Sequence, residues 1–182
     1  MDNQRTKLTI KLLEDSLIKL LSTKTIFEIS ICELCDVAGI NRSTFYRYFG
    51  SQFDLLSYME NQLIDNISKY FVIDEHTQSD EEINKQMINL LNYLKRNYDF
   101  TKLLLNNNVD SDFPNKLFEL PCINSLIDRT VANNAKVGMA AYYRTFMITG
   151  GFNVLKLWVN EGCTIKPEII AKILNDFATK IQ

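Results

Sequence analysis

Arg42, Ser43, Thr44, Tyr46 and Arg47 gather two guanidinium groups, two aliphatic hydroxyls and a phenol into six consecutive positions. These groups donate and accept hydrogen bonds, and none is paired with a base that would make it a nucleophile. Their chemistry is recognition. A guanidinium can bridge two acceptors on the edge of guanine, a threonine methyl can meet that of thymine, and hydroxyls and phenols suit phosphate oxygens. Ser30, Asn41, Tyr48 and Gln52 add further polar groups nearby in the sequence. Catalysis has far less to work with. The one histidine, His76, lies in a polar stretch, and there is no glycine-rich phosphate loop after a strand, no nucleophile elbow and no carboxylate cluster. Neither an enzyme nor a cofactor is expected.

The cysteines are Cys32, Cys35, Cys122 and Cys163. Cys32 and Cys35 stand one helical turn apart, but a zinc site would want a second close-spaced ligand pair, which Cys122 and Cys163 do not form. They read as buried thiols and no metal is expected, with a thiol sensor on Cys32 and Cys35 as the open alternative.

To present its polar residues together, the 42–47 segment must sit on a helix held by a small core. Residues 31–50, ICELCDVAGINRSTFYRYFG, supply one. Ser30 and Glu33 form a capping box that opens a helix over about 31–37, and Asn41 caps a second over 42 to about 48. Leu34, Ala38, Ile40, Phe45 and Tyr48 are spaced to pack between the two, and Cys35 supplies the small side chain where they come closest. Gly39 falls where the chain must turn left-handed, a conformation costing other residues about 1–2 kcal/mol. This is the pattern of a helix-turn-helix, whose second helix enters the DNA major groove by its amino-terminal residues. Arg42, Ser43 and Thr44 then approach base edges, while Tyr46, Arg47 and Tyr48 hold the backbone.

Charge speaks against this reading at first. The chain has a formal net charge of −2 and a pI near 5.5, and residues 1–59 carry seven basic and seven acidic side chains. The phosphate field, however, is felt within a Debye length of ~8–10 Å, so local placement outweighs the total. Glu14 and Asp15 belong to the first helix and Glu33 to a cap, away from the arginine face.

The remaining chain is helical in period. Ile10, Leu13, Leu17, Leu20 and Leu21 mark a first helix over roughly 5–22, and Ser51 and Asp54 cap a long one to about Phe71. Residues 74–81 read as a loop, and Ser79 and Glu82 cap the helix that follows. Asn97–Asn108, about 113–134 with an interruption at Pro121, Met139–Glu161 and a final helix from Pro167 complete about nine. The fold class is all-α. Residues 1–50 are expected to form the DNA-binding domain, 51–71 a linking helix, and 72–182 an effector-binding and dimerisation domain. The polar start is not a signal peptide and no apolar run is long enough to span a membrane, so a cytoplasmic protein without membrane contact is expected.

Residues 5–60 resemble the DNA-binding domain of the tetracycline-repressor (TetR/AcrR) family. The resemblance lies in Thr25–Ser30, in Val37-Ala38-Gly39-Ile40, in Ser43–Ser51 and in Leu55-Leu56. It implies a homodimer whose two heads straddle a near-palindromic double-stranded operator, with effector binding changing their separation. Where the family usually has lysine after the capping serine, this chain has Gln52, which removes one phosphate contact. The segment from Phe146 through Gly150-Gly151-Phe152 and Trp158 to Gly162, followed by Pro167-Glu168, is similar to regulators related to those of dihydroxyacetone kinase. In these the last two helices form the dimer's four-helix bundle.

Glycine inside a helix costs about 1 kcal/mol relative to alanine, so the pair Gly150-Gly151 calls for compensation by close helix approach. A dimer seam through Gly150, Gly151, Phe152, Leu155, Trp158, Ile173 and Phe177 would supply it, and packing within one subunit is the alternative. An effector pocket for a small apolar or aromatic ligand is expected around Tyr98, Phe100, Leu104, Tyr142, Tyr143 and Phe146. The resulting expectation is a sequence-specific repressor released by a small-molecule effector. Its rival is a co-activator or adaptor of the same fold, weak on DNA and controlled by a protein effector.

Overall fold

The computed structural model describes residues 2–70, 79–106, 113–134 and 138–179. Among them are ten α-helices, a short 3-10 turn and no strand. Two compact units emerge, Met1–Ile64 and Asp65–Gln182, and the division falls inside the long helix Gln52–Tyr70.

The first unit contains α1 (Asp2–Leu21), the 3-10 turn Ile26–Glu28, α2 (Ile31–Ala38), α3 (Arg42–Phe45) and the start of α4 (Gln52–Tyr70). The α1 stripe delivers Leu13, Leu17, Leu20 and Leu21 to a core shared with Leu34, Cys35, Phe45, Leu55 and Met59. Gly39 ends α2 at φ 66°, the left-handed conformation its position demanded. Two local details differ from expectation. Regular α-helix stops at Phe45, and the chain continues to Tyr48 through i→i+3 bonds from Arg47 to Thr44 and from Tyr48 to Phe45. Ser30 does cap α2, accepting from Glu33 N at 3.2 Å, but the Glu33 carboxylate pairs with Lys24 instead of returning to the cap. The complete capping box lies one element earlier. There Glu28 accepts from both the amide and the hydroxyl of Thr25, at 2.8 and 2.9 Å.

The second unit contains the end of α4, then α5 (Asp80–Arg96), α6 (Tyr98–Leu105), α7 (Phe113–Phe118), α8 (Pro121–Asn134), α9 (Ala140–Asn160) and α10 (Pro167–Thr179). The segment over 113–134 is interrupted at Pro121 as expected, because Pro121 lacks the amide that would bond back into α7 and takes the first position of α8. Asn97 both ends α5 and precedes α6, and the Thr101 hydroxyl donates to Leu94 O at 3.2 Å to hold the bend. Ile83, Leu90, Leu91 and Leu94 of α5 are buried with Phe100 and Leu104 of α6, Trp158 and Val159 of α9, and Ile170 and Ala171 of α10. No helix among the described residues is long and apolar enough to cross a membrane. The loop over 74–81, with His76, lies largely outside the described residues.

Candidate nucleic-acid interface and ligand cavity

In the first unit a buried core presents a polar rim. Phe45 is fully buried, so α3 is anchored by one face, while Asn41, Arg42, Ser43, Tyr46 and Arg47 are exposed. Thr44 and Tyr48 are half-buried. Asn41 makes no side-chain cap bond, so its amide is not spent on α3. Ser30 is spent as a cap. Tyr46 leans edge-on against Phe45, with ring centroids 5.7 Å apart, and remains exposed. The Tyr48 hydroxyl meets Thr6 Oγ1 at 3.4 Å, which ties α1 to the turn after α3. The guanidinium of Arg42 hydrogen-bonds the thiol of Cys32, one helix back.

Of the acidic side chains of this unit, Asp36 accepts from the Cys32 thiol beside Arg42, while others are occupied elsewhere. Glu33 pairs with Lys24, and Asp54 accepts from Gly50 N at 3.0 Å. The two Thr25 hydrogen bonds hold the Glu28 carboxyl below the usual carboxylate range, with Lys24 adding to the effect. Gln52 is the first residue of α4, after Ser51, whose hydroxyl accepts from Asp54 N at 3.2 Å. Sequence reasoning missed Thr6, because nothing in a linear pattern signals a hydroxyl pairing across 42 positions.

Of the cysteines, Cys35 and Cys163 are buried and Cys32 half-buried. Burial pushes the thiols of Cys35 and Cys163 up, so both stay protonated and unreactive at neutral pH. Among the described residues no group of three His, Cys, Asp or Glu side chains converges. The Cys122 side chain lies outside the described residues.

The second unit holds a cavity of about 210 Å³ bounded by α4, α5, α7, α8, α9 and α10. Its wall is aliphatic and aromatic, including Ile67, Met87, Leu90, Leu117, Phe118, Ile127, Phe146 and Leu174. Asn175 is the only polar side chain among the described residues of its wall, and donates to Asn84 Oδ1 at 2.8 Å. A closed, empty space of 210 Å³ would forgo on the order of 5 kcal/mol of packing, at roughly 24 cal/mol for each Å³; this one is partly open, so its cost is smaller.

The cavity is not where the aromatics pointed. Of the residues expected to line a pocket, Phe146 does so. Phe100 and Leu104 are buried in the α6 core, and Tyr98 takes a hydrogen bond from Lys102 Nζ at 3.2 Å. Tyr142 is 75% exposed, and Tyr143 is half-buried outside the cavity wall.

Three of the residues expected at a dimer seam, Gly150, Gly151 and Leu155, line the cavity. Phe152 packs against Phe118, with centroids 6.0 Å apart. Trp158 is 1% exposed and donates Nε1–H to Ile165 O at 2.9 Å, so it is a core residue of its own subunit. The close helix approach expected at the glycines is also absent within the unit. A Cβ on Gly150 would meet nothing within 4 Å, and one on Gly151 only Leu174 Cδ2 at 3.9 Å. Ile173 is half-buried, and the Phe177 side chain lies outside the described residues.

Comparison with known proteins agrees with this architecture. Residues 81–180 match the TetR-type model described as "Transcriptional regulator C-terminal region". Among curated proteins none matches the chain. Among solved structures it is similar to the fatty acid degradation regulator FadR from Bacillus halodurans, with a TM-score of 0.62, 15% identity and 96% of each chain covered. It is likewise similar to the dihydroxyacetone kinase operon activator DhaS, with a TM-score of 0.57, 18% identity and 93% of each chain covered. The third is Thermus thermophilus FadR, a TetR-family repressor in complex with lauroyl-CoA, at a TM-score of 0.51, 15% identity, and 93% and 92% covered. At such identities the likeness is one of fold, whereas the family model spans more than half the sequence. The chain belongs to the TetR family of transcriptional regulators.

Proposed function

We propose that the protein is a sequence-specific DNA-binding repressor, a homodimer released from a near-palindromic operator by a small apolar effector held in the second unit. The observation that carries the DNA-binding part is the anchored rim of the first unit, where buried Phe45 fixes a helix whose exposed Arg42, Ser43, Tyr46 and Arg47 face solvent. The effector part is supported by the apolar cavity, a space suited to a ligand recognised by burial. The lauroyl-CoA bound by Thermus thermophilus FadR is one example of a ligand with such a part.

Homodimerisation is supported by α9, which is apolar beyond the face it buries. Tyr142 and Leu157 lie on its exposed side, and Ile169 of the neighbouring α10 is also exposed. Selection of operators from a random duplex pool by the pure protein tests the reading. Enrichment of a near-palindromic site with half-site centres about one helical turn apart, ~34 Å, is the expected result. Absence of any enriched site, alongside capture of a protein partner, would support the adaptor reading in its place.

A further inference from the structure

The cavity wall on α9 is built from two ridges at four-residue spacing, Phe146–Gly150–Val154 and Met147–Gly151–Leu155. Residues at such spacing lie one above another on a helix, so glycine occupies the middle of both ridges. The wall therefore lacks side chains at the middle of a stretch of about 12 Å, between Phe146 and Met147 at one end and Val154 and Leu155 at the other.

Neither glycine is needed by its backbone, because both sit within the regular helix and neither takes a positive φ. Close packing does not need them either, since an added Cβ meets nothing nearer than 3.9 Å. Alanine at either place would fit and would favour the helix. What the glycines provide is open space in the cavity wall.

We propose that Gly150 and Gly151 are the specificity-determining residues of this cavity: their indentation admits an uncharged hydrocarbon part of the effector, an alkyl chain or flat ring, across α9. This rests on the reading that the cavity is the effector site. The class of ligand follows from the wall. Among the described residues the wall has no charged side chain and Asn175 alone is polar, so the part of the ligand lying against it carries no charge. An apolar cavity of about 150 Å³ takes benzene, so one of 210 Å³ has room for a larger hydrocarbon group. Any charged end must remain outside the wall described here.

The test uses the full-length protein and a neutral fluorescent probe, N-phenyl-1-naphthylamine, displaced by a series of straight-chain alcohols from hexanol to dodecanol. Wild type should take up the probe and favour one range of chain length. Gly150→Ala and Gly151→Ala should raise the melting temperature without ligand, yet weaken the longer alcohols by about tenfold, the scale of one methylene in an apolar pocket. Gly150→Leu should shift the preferred chain shorter still. Asn153→Ala, on the exposed side of the same helix, should leave the preference unchanged.

If both alanine variants bind every alcohol as wild type does, the glycines do not set specificity and the proposal fails, while the cavity reading stands. If they dissociate the protein into monomers with unchanged probe affinity, the glycines serve the dimer, and the proposal fails again. If wild type itself takes up neither probe nor alcohol, the effector reading falls and the proposal with it.

Discussion

The guanidinium of Arg42, at the start of α3, hydrogen-bonds the thiol of Cys32 on α2. The thiol also approaches Asp36 Oδ2 at 3.7 Å, so the arginine rests at the end of a short chain of polar groups. A side chain exposed in this way is held but not buried, and a guanine edge offers it two stronger acceptors than one sulfur. Reading a base therefore means exchanging Cys32 for DNA.

From that exchange comes the first prediction. Arg42→Ala should cost ~1–3 kcal/mol at one base position of each half-site and relax preference there. Arg47→Ala should weaken all operators alike and reduce the salt slope by about one per head. Cys32→Ala removes the resting partner and should leave the preferred sequence unaltered. Titrations on matched and mutated operators at two salt concentrations separate these outcomes. A uniform loss across all operators for Arg42→Ala would show that it grips and does not read.

Leu157 and Trp158 are adjacent on α9 but opposite in exposure, at 60% and 1%. The second prediction follows from this contrast. Trp158→Ala should cost ~3–5 kcal/mol of stability, because it empties a filled core site and leaves Ile165 O without its donor. Leu157→Glu and Tyr142→Glu should leave the subunit folded and shift its sedimentation toward monomer. Denaturation midpoints and sedimentation velocity measure the two effects. A dimer that survives both glutamates is joined by another face.

The two short helices around Gly39 were legible in the sequence because short-range rules dictate them. Gly39 had to turn left-handed, Ser30 had to cap, and Leu34, Ala38 and Phe45 had to face inward, all within twenty residues. The cavity was not legible by the same means. Periodicity says that Phe100, Leu104 and Trp158 point inward, but not whether another side chain or a space stands opposite. All three proved to be core. The wall came mainly from aliphatic residues such as Met87, Leu126 and Leu174, which carry no mark that distinguishes lining from packing. Its one available sign was Gly150-Gly151 inside an apolar helix, and that pair reads equally well as a seam between helices until the distances around it are known.

The last prediction concerns the brace of the turn before α2. Glu28 is held ionised by the Thr25 amide and hydroxyl, so its carboxyl titrates below the ordinary value of 4.5. A carboxylate with a lowered folded pKa contributes stability that is fully present above its unfolded value and is lost as pH falls through the folded one. The side chain is exposed, so water screens the contribution and the effect is small. Glu28→Gln should therefore be slightly less stable than wild type at neutral pH. The difference should shrink once pH drops below about 4.5 and vanish when the wild-type carboxyl is protonated. Thr25→Val should show the same pH-dependent deficit, because it removes the hydroxyl donor, though the backbone donor remains to preserve part of it. Urea denaturation of the three proteins at neutral, mildly acid and strongly acid pH follows the convergence. A deficit that stays constant across that range would mean that Glu28 acts through packing or helix propensity, and that its charge does not brace the turn before α2.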